Sequence, residues 1–205
     1  EDDDEDNKLK LCIAVIGSGS VGKTTLINSI HEEYMSPMQM INTTMLPQKY
    51  VETSSTEKFR NPTDILQLNT ESNKLIMQKY EEEKMTKTDY KELIHFIPKI
   101  NNFIKLRKGC YFEIFDIPGI DDAKTNKNNF YYINKNFYKF DIILFVCEIN
   151  RALNTSGEFE ILENIMRCMQ IECKAGKNIC LITCVNKVDC GCDFDNIDDD
   201  DDKVG

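Results

Sequence analysis

Leu9-Lys10-Leu11-Cys12-Ile13-Ala14-Val15-Ile16, followed at once by Gly17-Ser18-Gly19-Ser20-Val21-Gly22-Lys23-Thr24-Thr25, is the stretch that decides the fold. Its first half is apolar and β-branched, as in a strand buried on both faces of a sheet. Its second half fits G-x-x-x-x-G-K-[ST], with a helix expected to begin near Thr24. A strand, a glycine-rich turn and a helix N-terminus in that order make a phosphate cradle. Glycines let backbone N–H groups curl round dense negative charge, and the helix adds the positive end of its dipole. Gly17, Ser18, Gly19, Ser20, Val21, Gly22 and Thr25 are therefore candidate phosphate contacts. Lys23 is placed to reach the β- and γ-phosphates as a point charge, and the Thr24 hydroxyl to bind Mg²⁺.

Three further apolar runs share the character of the first: Cys110 to Phe115, Ile142 to Cys147 and Ile179 to Val185. Between them lie helical patterns. Thr155 and Glu158 form a capping box, after which Phe159, Ile161, Leu162, Ile165, Met166 and Met169 recur as a stripe expected to face the core. Buried strands alternating with helices imply a three-layer α/β fold, a mostly parallel sheet with helices on both faces. Ligands on such sheets bind beyond the carboxyl ends of the strands. A long insert, about residues 52–108, precedes Asp116 and reads as partly helical. Leu75, Ile76 and Tyr80 mark one face of its first helix. Asp89 and Glu92 read as a second capping box before Leu93, Ile94, Phe96 and Ile97, ending at Pro98.

Two more motifs fall at strand ends. In Asp116-Ile117-Pro118-Gly119 the carboxylate can hold a magnesium-bound water, and Gly119 can present its amide to a γ-phosphate without a side chain in the way. In Asn186-Lys187-Val188-Asp189 the final carboxylate can accept from the N1–H and 2-amino group of guanine, donors that adenine lacks. Asn186, Lys187 and Asp189 are thus candidate base-binding residues, and GTP or GDP with Mg²⁺ the expected ligands.

The order of these motifs resembles the translation-factor-related class of P-loop GTPases over most of residues 9–189. Within that class the chain resembles the dynamin-like large GTPases. The long insert before Asp116-Ile117-Pro118-Gly119-Ile120, the stretch Thr44-Met45-Leu46-Pro47, and Ile143 to Val146 followed by Asn150 and Leu153-Asn154-Thr155 carry that likeness. The resemblance implies that Thr44 is the switch threonine that ligates Mg²⁺ and helps place the attacking water, with Thr43 the competing candidate. It implies hydrolysis of GTP to GDP, with Lys23, Ser20, Thr44 and Gly119 in catalytic roles. Ras-related GTPases orient water with a glutamine after the motif glycine, where this chain has Ile120. Dynamin-like proteins use P-loop residues and a cation, completed when two G domains dimerise face to face. Ser20 matches their P-loop serine, whereas Gly19 stands where they usually carry glutamine, and Asn186 where threonine is more common. Two other readings remain open: a GTP-dependent switch that recruits a partner with negligible hydrolysis of its own, and an Era-like or septin-like GTPase.

Composition sets the frame. A chain of 205 residues, 41% hydrophobic, can bury one sizeable core. Its formal charge of −10 sits at the ends, because thirteen of the thirty-five acidic residues lie in 1–6 and 193–205. Residues 7–192 carry twenty-four Lys and Arg against twenty-two Asp and Glu, so the body is near neutral and no nucleic-acid partner is expected. The expected division is an acidic end at 1–8, a GTPase domain at 9–192 and an acidic tail at 193–205. A fifth guanine-sensing motif belongs a few tens of residues after Asp189, so the chain reads as a fragment or as a fold whose last unit is replaced. Nine scattered cysteines suit a reducing, cytoplasmic setting. Cys12, Cys147, Cys180 and Cys184 are expected to be buried hydrophobes, and Cys190 with Cys192 lacks the second pair that a metal site needs. No run suggests a membrane span, so any membrane-binding module lies outside what can be read here.

Overall fold

Strand β1 (Leu9–Gly17) runs through the middle of a six-stranded sheet, parallel to β4 (Cys110–Asp116) on one side and β5 (Ile142–Glu148) on the other. The computed structural model describes residues 9–37, 44–53, 58–86, 89–98, 110–120, 126–150 and 154–187. Strand β6 (Cys180–Asn186) pairs parallel to β5 and forms one edge. On the other flank β2 (Gln48–Glu52) runs antiparallel to β4 and parallel to β3 (Leu93–Ile97), giving the order β3-β2-β4-β1-β5-β6.

Both faces of β1 are apolar because both are covered. Ala14 and Ile16 pack with Phe115, Phe145 and residues of α3 (Asn126–Asn136) and α4 (Ser156–Lys174). Ile13 and Val15 face the other way, with Phe112, Ile114, Ile27 of α1 (Lys23–His31) and Ile65 of α2 (Pro62–Glu81). The result is the expected three-layer, mostly parallel α/β fold. Helix boundaries follow local chemistry. Asn61 caps α2 by accepting from the Asp64 N–H at 2.8 Å, with Pro62 in its first turn, and Thr155 caps α4 by accepting from the Glu158 N–H at 3.3 Å.

The insert departs from its sequence reading in one element. Leu93–Ile97 is a strand, not a helix. Five residues that include Ile94, Phe96 and Ile97 and stop at Pro98 are too few for a stable helix, and β2 offers them a ladder that places His95 opposite Tyr50. Asp89 closes a local turn instead, accepting from the Thr86 N–H at 2.9 Å and pairing with Lys79. Helix faces also differ in detail. The buried face of α2 is Ile65, Asn69, Asn73 and Ile76, and Leu75 points outward, 54% exposed. On α4 the buried line is Glu158, Ile161, Ile165 and Cys168, with Phe159 and Met166 exposed. Of the cysteines expected to be buried, Cys147 is, Cys12 and Cys184 are half-buried and Cys180 is exposed, because β6 lies at the sheet edge. Cys190 and Cys192 lie outside the described residues.

Tyr50 lies between two histidines in tilted ring contacts, with centroids 5.3 Å from His31 and 5.2 Å from His95. Both nitrogens of His95 are buried without a hydrogen-bond partner, and burial lowers the pKa of each histidine to about 4. The unfolded chain protonates them near pH 6.5 and the folded one only near 4. Stability is therefore full above about pH 6.5 and falls as pH drops toward 4. Urea unfolding between pH 7 and pH 4 is expected to show a loss of up to roughly 1.4 kcal/mol per pH unit for each histidine, and His95→Phe to remove about half of it. An unchanged pH profile in that variant would show that His95 is not buried in its neutral form.

Candidate functional site

Because β1, β4, β5 and β6 are parallel, their carboxyl ends lie on one side of the sheet and carry the motifs together. In register, Val15 stands beside Asp116, Gly17 beside Val146, and Glu148 beside Asn186. The glycine-rich loop leaves β1 and enters α1 through two left-handed residues, Ser20 (φ 60°) and Gly22 (φ 93°). Gly22 caps α1 without any side-chain hydrogen bond, and the first turn holds no acidic residue. Such an N-terminus keeps its donors and its dipole for an anion. Thr25 is exposed on the first turn of α1, and its carbonyl accepts from Ser29. Lys23 is buried, and its ammonium donates to the carbonyls of Gly17 at 3.1 Å and Ser18 at 2.6 Å.

Three hydroxyl and carboxylate groups meet beside this loop. Thr24 Oγ1 donates to Asp116 Oδ2 at 3.2 Å and lies 3.2 Å from Thr44 Oγ1. Asp116 is fully buried, and its Oδ1 is an orphaned acceptor. Burial raises its carboxyl pKa to about 6, against the lowering effects of Lys23, Thr24 and Thr44. Hard oxygen donors converging on a buried, incompletely satisfied carboxylate are the donor set that Mg²⁺ takes. The residues thus fit the ion, with Thr24, Thr44 and Asp116 as those that would hold it or its water. Thr43 lies outside the described residues.

The remaining motif residues pack onto the loop. A Cβ added to Gly119 would sit 2.6 Å from Gly19 Cα, so the backbone after Asp116 lies directly against the phosphate loop and tolerates no side chain. Ile120 turns into the core and is 2% exposed, so the residue after the motif glycine presents no side chain to the site. Asn186 donates from Nδ2 to the Val21 carbonyl at 2.9 Å, and a Cβ on Gly22 would come within 2.1 Å of that same nitrogen. Asn186 therefore braces the end of β6 against the loop. Lys187 pairs with Glu148 at 3.2 Å, and Val188 and Asp189 lie outside the described residues.

Sequence reading missed the asparagines that hold this arrangement. Asn28 accepts from the Met35 and Ser36 N–H groups at 3.2 Å, Asn73 accepts from the Met45 N–H at 2.9 Å, and Asn129 donates to the Gly119 carbonyl at 2.8 Å. The available signal was the pair Asn69 and Asn73, four residues apart on a helix face that also carries Ile65 and Ile76. Amides on a buried helix face have backbone partners elsewhere.

A family model described as the dynamin family matches residues 13–184. Over 192 residues the chain is 29% identical to the uncharacterized protein R618 of Acanthamoeba polyphaga mimivirus, a match covering 88% of this chain and 29% of that protein. The chain spans less than a third of that relative's length. Among solved structures, the G domain of the T. maritima FeoB iron transporter aligns with a TM-score of 0.35 and 11% identity, over 86% of this chain and 87% of that one. A member of an oligomerised bacterial dynamin pair, described as a mechanism for long-range sensing and tethering of membranes, aligns with a TM-score of 0.40 and 12% identity, over 86% of this chain and 33% of that one.

The raised pKa of Asp116 carries a sign that can be measured. Without metal, the stability linked to its neutral form is complete below pH 3.8 and is lost as pH rises through about 6. Asp116→Asn is therefore expected to stabilise the metal-free protein on the order of 2 kcal/mol at pH 8, an advantage that disappears toward pH 3.5. Chemical unfolding at the two pH values checks this, and a variant less stable than wild type at pH 8 contradicts the assignment.

Proposed function

The chain belongs to the dynamin family, and from that premise we propose that it binds GTP with Mg²⁺ and hydrolyses it to GDP and phosphate. The observation that carries this reading is the convergence of Thr24, Thr44 and Asp116 within 3.2 Å contacts beside the buried ammonium of Lys23. Base choice rests on the motif Asn186-Lys187-Val188-Asp189, in which Asp189 takes the two guanine donors.

Catalysis is positioning plus electrostatics. Water attacks the γ-phosphorus as the bond to the β–γ bridging oxygen breaks, and the water's protons end on phosphate and solvent. Lys23 gives up its contacts to Gly17 and Ser18 and turns to the β- and γ-phosphate oxygens. The loop amides neutralise charge that grows on the bridging oxygen. Thr44 and the Gly119 amide hold the γ-phosphate and the water line, and Ser20 lines the loop where a second G domain would complete the site. Magnesium, when bound, supplies charge neutralisation at the β- and γ-oxygens.

Burial of Ile120 favours a second reading. With no side chain there to orient water, the domain acts as a switch that holds GTP and recruits a partner, and hydrolysis awaits an activator. Phosphate release from GTP and ATP, by wild type and Lys23→Ala across a protein concentration series, separates the two. Hydrolysis completed by G-domain pairing predicts GTP-selective release that rises more steeply than linearly with protein and falls at least about 100-fold in Lys23→Ala. Tight GTP binding without release moves the assignment to the switch, and equal turnover of ATP rejects both.

A further inference from the structure

The insert between the two nucleotide-sensing segments grips both of them. Helix α2 reaches the first on its asparagine face. Asn73 Oδ1 accepts from the Met45 N–H at 2.9 Å, one residue from Thr44, and Asn69 Nδ2 donates to the Met35 carbonyl and to Ser36 Oγ, both at 3.0 Å. The described ends of the stretch that joins α1 to Thr44 are therefore held by side chains one helical turn apart. Met45 and Leu46 add an apolar anchor, packing against Ile76 with Tyr80, Met85, Tyr90 and Leu93 around them.

The same small core reaches the second segment. Tyr90 donates its hydroxyl to Asn129 Oδ1, and Asn129, fully buried on α3, donates from Nδ2 to the Gly119 carbonyl at 2.8 Å. Tyr80, at the end of α2, accepts from Asn128 Nδ2 at 3.0 Å. One rigid helix and the turn after it thus bond to the residue beside the threonine of the Mg²⁺ site and, through one amide, to the glycine that lies against the phosphate loop. The bond from the Met45 N–H is buried, so removing its acceptor on Asn73 leaves an unsatisfied donor.

We propose that the insert is a coupling element, in which Asn73 and the Tyr90–Asn129 pair are positioning residues that make Thr44 and Gly119 respond to the γ-phosphate together. This rests on the reading of the site as a guanine-triphosphate site. The element earns that role by geometry: a movement of Thr44 toward bound metal drags Met45, Asn73 and α2, and α2 carries Tyr80 and Tyr90 against α3 and hence Gly119. The coupling concerns the third phosphate only, because neither segment is expected to contact the base or the first two phosphates.

Affinity for GDP and for a non-hydrolysable GTP analogue, both fluorescently labelled and both with Mg²⁺, tests this without requiring turnover. Asn73→Leu is expected to lower triphosphate affinity about tenfold and leave GDP affinity within about twofold, a coupling of ordinary allosteric size. Asn73→Asp keeps the acceptor and restores the preference. Tyr90→Phe, which removes one hydroxyl from a ring that stays packed, lowers triphosphate affinity about threefold, and the double variant loses no more than Asn73→Leu alone. Thermal melting of each variant confirms folding. The proposal is overturned if GDP and triphosphate affinities fall together, if neither changes, or if the losses multiply in the double variant. A wild-type protein that binds neither guanine nucleotide overturns the underlying reading and this one with it, and that result appears before any variant is compared.

Discussion

A carboxylate buried at the end of β4 is the constraint around which the rest of the structure is arranged. Asp116 has no solvent exposure, and ionising such a group in a protein interior is costly unless positive charge and donors surround it. Lys23 and the hydroxyls of Thr24 and Thr44 offset that cost in part, and the raised pKa shows that they do not do so fully. Its Oδ1 accepts no hydrogen bond from the protein. On the proposed function, a cation and its anionic ligand complete the electrostatics around this carboxylate and the buried ammonium beside it.

Everything that fixes this carboxylate depends on close backbone approach. The strand register puts Asp116 beside Val15, two residues before the phosphate loop begins. Gly119 then folds back against Gly19, and Gly22 leaves just enough space for the amide of Asn186. Each contact brings together segments far apart in the chain, and the last two require a residue without a side chain. Contacts of this kind transmit small shifts, because a packed backbone cannot yield without moving its neighbour. That is why the insert, bonded to both sides of the site, is more than a spacer.

Much of this was legible from residue types alone. The unbroken apolar runs read as strands, three of them central and Cys180–Asn186 at the edge, and Gly-x-x-x-x-Gly-Lys-Thr after the first marked the candidate phosphate loop. The capping box at Thr155 marked the start of α4 because a threonine with a glutamate three residues later is the pairing that satisfies a helix's first donors. The insert resisted for physical reasons. Leu93–Ile97 matches both a short buried helix and a strand by pattern, and only the neighbouring β2 decides between them. Asn69 and Asn73 drew no reading, since nothing local reveals which backbone groups, more than twenty residues away, their amides serve. Exposure of Cys180, Phe159 and Met166 likewise reflects what does and does not pack beside β6 and α4, which composition cannot state.

That Thr24, Thr44 and Asp116 form the metal side of a guanine-triphosphate site is tested most directly by a crystal structure with Mg²⁺ and a non-hydrolysable GTP analogue. The expected result is a metal ion that Thr24, Thr44 and Asp116 would hold directly or through water, with the β- and γ-phosphates against Lys23. A metal bound elsewhere, or a triphosphate lying outside the loop from Gly17 to Thr24, would contradict it.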